Sequence, residues 1–149
     1  MASEILDNVK AAMKDAMRAK EKERLATIRL IQAEFKRIEV DERIELDDDR
    51  VIAILDKMVK QRRDSISQYE SAGRDELAAV EVAEIAVIQT FLPTPLTADE
   101  INAMIDAAIA ETGAESMRDM GKVVGLLKGP MQGRADMAIV SKQVKDRLS

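Results

Sequence analysis

The sequence predicts an all-α protein in two parts, an N-terminal antiparallel helical bundle joined by a proline-rich hinge to a small C-terminal three-helix domain. Three observations carry this. Apolar residues recur at three-to-four spacing along nearly the whole chain, and no stretch alternates with period two or is rich in both β-branched and aromatic residues. Ala, Leu, Ile, Val, Met, Glu, Lys and Arg dominate, with only Phe35, Tyr69 and Phe91 as aromatics and nine Met as adaptable core filler. Finally, Leu92-Pro93-Thr94-Pro95-Leu96-Thr97 breaks the pattern, because two prolines at i and i+2 favour an extended connection. The division is therefore 1–92, a hinge at 93–96, and 97–149.

Residues 4–20 form a first helix, apolar at Ile5, Val9, Ala12/Met13 and Ala16/Met17, with Ser3 as its N-cap. The second, about 22–40, carries Leu25, Ile28, Ile31, Phe35 and Ile38 on one face. Asp47, Asp48 and Asp49 then place negative charge at the N-terminus of a third helix, about 49–71, whose stripe is Ile52, Leu55, Met58/Val59, Arg62, Ile66 and Tyr69. Gly73 ends it. A fourth helix follows to about 91 through Leu77, Val80, Glu84/Ile85, Ile88 and Phe91. Short loops between these four make a bundle.

Thr97-Ala98-Asp99-Glu100 is a capping-box pattern that opens a fifth helix, apolar at Ile101, Met104, Ile105, Ala108 and Ile109 and closed by Gly113. Ser116 to Asp119 can start a sixth, through Met120, Val123/Val124 and Leu127, which Pro130 ends or kinks. Gly133 suits a left-handed turn, and Asp136 can cap a seventh helix running through Ile139, Val144 and Leu148.

Composition removes whole classes of chemistry. The chain has no Cys and no His, so it offers no thiol nucleophile, no imidazole base, no Cys/His zinc site and no disulfide. Its serines stand in no Ser-x-x-Lys or Gly-x-Ser-x-Gly context. The three aspartates at 47–49 do not match the spacing of an EF-hand and serve as helix capping; no metal or cofactor is expected. No apolar run approaches a membrane span, and residues 1–20 show no signal-like apolar region. A cytoplasmic location is the expectation. The net charge of -5 argues against nucleic-acid binding through global charge.

Local charge differs. Residues 113–149 hold seven basic side chains against four acidic ones. Within them, Met117 to Asp136 contains four of the six glycines. Lysines 57 and 60 with Arg62 and Arg63, and Lys10, Lys14 and Arg18, are by contrast interleaved with acids, as on ordinary solvated helix faces. Two readings of the glycine-basic stretch stand side by side. Glycine lets a backbone N–H approach a phosphate, with Lys122, Lys128 and Arg134 supplying charge. Alternatively Gly121 and Gly125 let two helices pack closely, and Gly133 makes a turn. The stretch is not a P-loop, for the Gly-Lys at 121–122 lacks the upstream glycine, the following Ser/Thr and the preceding strand.

Gly121-Lys122-Val123-Val124-Gly125 and Gly133-Arg134-Ala135-Asp136, taken with Phe91-Leu92-Pro93 and Arg24-Leu25-Ala26-Thr27-Ile28-Arg29, give the chain a family likeness. It resembles the YqeY-like (GatB/YqeY) family, stand-alone relatives of the tail domain of the B subunit of aspartyl/glutamyl-tRNA amidotransferase. Met137 stands where the family pattern commonly has Gly, and Gly129-Pro130 where Met-Pro is more usual.

The resemblance implies an all-helical two-part fold and an accessory, tRNA-binding role related to glutamine-dependent transamidation of misacylated tRNA. It points towards carbon–nitrogen ligase activity with glutamine as amido-N-donor, but as an accessory domain, since the catalytic core is absent and the chain is non-catalytic by itself. The partner would be tRNA or a tRNA-handling protein. Lys122, Lys128, Gly133 and Arg134 would make first contacts, supported by Lys142 and Lys145, with Gly121 and Gly125 as structural glycines. The alternative is a helical protein-interaction module without a nucleic-acid role, docking partner helices in an apolar groove of the acidic N-terminal bundle.

Overall fold

A computed structural model describes residues 3–149. Among the described residues seven α-helices run in order: α1 (Glu4–Ala19), α2 (Lys22–Glu42), α3 (Asp48–Ser71), α4 (Asp75–Gln89), α5 (Ala98–Thr112), α6 (Met120–Met131) and α7 (Met137–Leu148), with one 3₁₀ turn at Met117–Asp119 before α6. No strand occurs among the described residues, and the fold is all-α. The chain divides into two compact units, Met1–Leu92 and Pro93–Ser149.

Local chemistry explains where the helices begin and end. Ser3, buried and extended, accepts from the Leu6 N–H and caps α1. Its own hydroxyl donates to Asp48 Oδ1, which also accepts from the Ile5 N–H at 3.2 Å. The carboxylate that opens α3 thus ties down the start of α1, and the Ser3 hydrogen bond, then the Ile5 N–H, holds the Asp48 carboxyl below the usual range. Asp47 is the N-cap of α3, accepting from the Arg50 N–H at 2.9 Å. The acidic run is consumed by capping and by this link. Lys20 and Arg43 close α1 and α2 in left-handed backbone conformations, a place usually taken by glycine. The expected capping box forms at Thr97 and Glu100, and Gly113 closes α5 with φ 65°.

The first unit packs Val9 and Ala16 from α1, Ile28, Ile31 and Phe35 from α2, Val51, Leu55 and Val59 from α3 and Ile88 from α4 into one core, with Leu46 from the loop. Arg62, on the apolar side of α3, is 15 % exposed and donates to Glu84 of α4 at 2.8 Å, with Glu81 at 3.8 Å. The second unit builds a smaller core from Ile105 and Ala108 of α5, Val123, Leu127 and Met131 of α6, and Val140, Val144 and Leu148 of α7.

Helix α6 ends one residue past Pro130, at Met131, so the proline sits inside its last turn, in keeping with a residue that ends or kinks the helix. One detail departs from the sequence reading. Residues 93–96, expected as a separate connector, are bonded into the second unit. The Leu96 N–H donates to the Arg134 carbonyl at 2.9 Å, and Arg134 Nε donates to the Thr94 carbonyl at 3.0 Å. Proline lacks an N–H, so the carbonyls and the few remaining amides of this segment must find partners elsewhere, and the α6–α7 turn supplies them.

Candidate functional site

The second unit's outer surface is set by how α6 and α7 bury their apolar stripes. Val123, Leu127 and Met131 recur every four residues and turn one side of α6 inward. The opposite side is then left to Gly121, Gly125 and Gly129, all exposed. A Cβ added to any of the three would meet no heavy atom within 4 Å. The close packing expected of Gly121 and Gly125 is therefore absent within this chain. Each still weakens the helix by about 1 kcal/mol relative to alanine, so α6 carries a bare backbone strip with no internal reason for it.

Lys122 and Lys128 are exposed and six positions apart, which places them about 120° apart around the α6 axis. They flank the glycine strip instead of lying side by side. Lys142 and Lys145 are exposed on α7 at i and i+3 and share its outward side. Helix α7 also ends in basic residues, Lys145 and Arg147, where the helix dipole favours cations. None of the four lysines makes an ion pair or side-chain hydrogen bond among the described residues.

Two other expected contact residues have structural duties. Gly133 is buried with φ 75°, a conformation that L side chains rarely adopt. It shapes the α6–α7 turn, as expected of a left-handed glycine there, and offers little surface for the first contact also expected of it. Arg134 is half-buried and clamps the 93–96 segment through the Thr94 carbonyl, with its charge helping to hold the Glu100 carboxyl low after the larger effect of the Thr97 backbone and hydroxyl. Its Nε is committed, and a ligand could meet only the rest of the guanidinium.

Sequence reading missed Arg147, which donates to Asp106 and to the Asn102 side chain (3.0 Å) of α5 and so fastens α7 to α5. It was counted only as a basic residue. The available signal was weak: Asn102 and Asp106 lie four apart on the polar side of α5, as a two-pronged acceptor would.

No group of three or more acidic, His or Cys side chains among the described residues is placed to hold a metal. No helix among them is long and apolar enough to cross a membrane.

Comparison with known proteins places this arrangement. The family described as "Yqey-like protein" matches residues 6–148. The chain is 32 % identical over 146 residues to "Altered inheritance of mitochondria protein 41, mitochondrial" of Pyrenophora tritici-repentis, covering 95 % of this chain and 80 % of that protein. It is 36 % identical over 112 residues to the protein of the same name from Eremothecium gossypii, covering 73 % and 61 % respectively. The protein of that name from Lachancea thermotolerans is 28 % identical over 144 residues, covering 92 % and 77 %.

These names overturn the expected cytoplasmic location, since the relatives are named mitochondrial proteins. The physical reason for the error is plain. A chain without cysteine carries no disulfide to report its redox surroundings, and a helical surface of mixed charge is equally at home in any aqueous compartment. The match spans both units and every helix of the chain, and the protein belongs to the YqeY-like family.

Proposed function

We propose that the chain is a non-catalytic accessory module that binds tRNA, or the tRNA-bearing complex of a glutamine-dependent amidotransferase, through the outer sides of α6 and α7. The observation that carries this reading is the bare strip of Gly121, Gly125 and Gly129, flanked by Lys122 and Lys128, in a region where Lys142 and Lys145 are also unpaired. A helix face without side chains lets a bulky phosphate-sugar backbone approach closely, and flanking ammonium groups meet phosphates as point charges. The resemblance to the amidotransferase tail supports the choice of tRNA among nucleic acids. The lysines supply position and charge.

Fluorescence titration of bulk tRNA with the full chain tests this. Saturable binding should weaken steeply as salt rises, because displaced counterions contribute to affinity. Replacing Lys122, Lys128, Lys142 and Lys145 together by Ala should reduce affinity at least tenfold and flatten the salt dependence, with helix content unchanged. Binding that is absent, or indifferent to salt and to the four substitutions, sinks the proposal.

A further inference from the structure

Helix α4 carries apolar side chains around its whole circumference between four carboxylates, and one side lies open. Ala78 and Ile88 are buried, and Ile85 and Val87 pack partly against the first core. On the outside, Val80 is 56 % exposed and Val82 53 %, with Ala79, Ala83 and Ala86 also exposed. Across the seam, α2 contributes Ala26 and Leu30, the latter 49 % exposed. Between the two helices runs a groove of about 390 Å³, walled by these apolar side chains.

The charges that line it have one sign. Glu23 and Glu84 line the groove. Helix α4 contains Asp75, Glu76, Glu81 and Glu84 and no Lys or Arg. Arg62 offsets Glu84 and Glu81, and Arg74 offsets Glu76, while Glu23 and Asp75 have no ion-pair partner among the described residues. Further along α2, Arg37 is held by Glu34 and Asp41. Glu23 and Asp75 are left over at the groove, where Arg62 and Arg74 are engaged; the exposed Lys22 and Arg29 of α2 do not line it.

We propose that the α2–α4 groove docks an amphipathic helix of a partner protein, one whose apolar stripe is flanked by Lys or Arg. Ala26 and Leu30 on one wall, and Ala79 and Ala83 on the other, repeat at i and i+4, the spacing that accepts the ridges of a third helix. Alanine on both walls allows close approach. Lysine or arginine beside the stripe would meet Glu23 and the carboxylates of α4. A second copy seated groove to groove would bring the acidic α4 helices together, and like charge opposes it. This surface shares no residue with the lysines of the second unit, and the inference stands without the tRNA reading.

The test uses two synthetic peptides of about 18 residues, five helical turns, that share a leucine stripe and differ only in carrying Lys or Glu beside it. Each is titrated into the full chain while backbone amide shifts are mapped. The Lys peptide should shift amides of α2 and α4 around Ala26–Leu30 and Ala79–Ala83. The Glu peptide should bind at least tenfold more weakly. The paired substitution Leu30→Ser and Val80→Ser, both at exposed positions, should weaken the Lys peptide at least tenfold, and Glu23→Gln severalfold, with helix content and tRNA affinity unchanged. Equal binding of the two peptides, shifts outside these helices, absence of binding, or an affinity indifferent to Leu30→Ser and Val80→Ser overturns the proposal. So does self-association that the same pair abolishes, which would make a second copy the occupant.

Discussion

The two units are assembled by the same rules and leave opposite residues over. In the first, arginines are bonded to carboxylates: Arg62 lies between α3 and α4, Arg50 meets Glu42 across a turn, and Arg37 bridges Glu34 and Asp41 on α2. On the facing sides of α2 and α4 an apolar strip is left uncovered, while the unit's lysines stand exposed elsewhere. In the second unit the two engaged arginines secure the fold, Arg134 to the 93–96 segment and Arg147 to α5. On the outer sides of α6 and α7 bare backbone and lysine are left uncovered, with Leu126 and Ile139 also exposed. Surplus of one kind suits a helix, and of the other a polyanion. A single chain thus offers two chemically distinct surfaces, neither of which its own folding requires.

The largest expected effect tests whether the units are separate at all. Leu55 is wholly buried in the first core and Val144 in the second. Leu55→Ala should cost about 2–5 kcal/mol in the unit that contains it, from lost burial and the residual cavity. If the units fold independently, calorimetry of the full chain resolves two transitions, and Leu55→Ala moves one while Val144→Ala moves the other. A single transition displaced by both variants would show one cooperative body and would break the comparison just drawn.

A second test sharpens it. Arg62 has little exposure and faces two carboxylates, so Arg62→Ala strands Glu84 and Glu81 beside each other at the α3–α4 seam. A hydrogen bond to a charged group at such a site is worth about 1.5–3 kcal/mol, and urea unfolding should lose about 2 kcal/mol. Arg147 is more open, and its partner Asp106 is largely in solvent, so Arg147→Ala should cost less than about 1 kcal/mol. Equal losses would mean that exposure does not rank these two clamps.

Much of this was readable beforehand, for physical reasons that differ by element. Arg62 and Glu84 each fall in the apolar stripe of their helix, yet their pairing was not read from it, since Arg62 was grouped with the solvated basic residues of α3. Ser3, Asp47, Thr97 and Asp136 act as N-caps as expected, since capping depends only on neighbours in sequence. The clamp by Arg134 was hidden because its acceptor, the Thr94 carbonyl, is backbone forty residues away and leaves no mark in side-chain pattern. Gly121 and Gly125 misled because a Gly-x-x-x-Gly pair looks the same whether a helix or nothing lies over it. An apolar groove of the first unit was expected, but its place was not: Val80 was read into the same stripe as Leu77 and Ile88, and only the packing of α2 and α3 against α4 shows that Val80 is left open.

The smallest effect in stability bears most directly on the second surface. At Gly125 the backbone is helical and a methyl group would meet only open space, so Gly125→Ala should raise helix stability by about 0.5–1 kcal/mol. Gly133→Ala provides the contrast, since φ 75° makes a side chain there strained and the variant should lose stability. If the bare strip serves only the fold, the stabilised Gly125→Ala protein binds tRNA as well as or better than the parent. If the strip admits a nucleic-acid backbone, the added methyl group stands in its way, and affinity falls while the melting temperature rises. Opposed changes of this kind cannot come from loss of structure, so measuring both on one variant separates a packing accident from a contact surface.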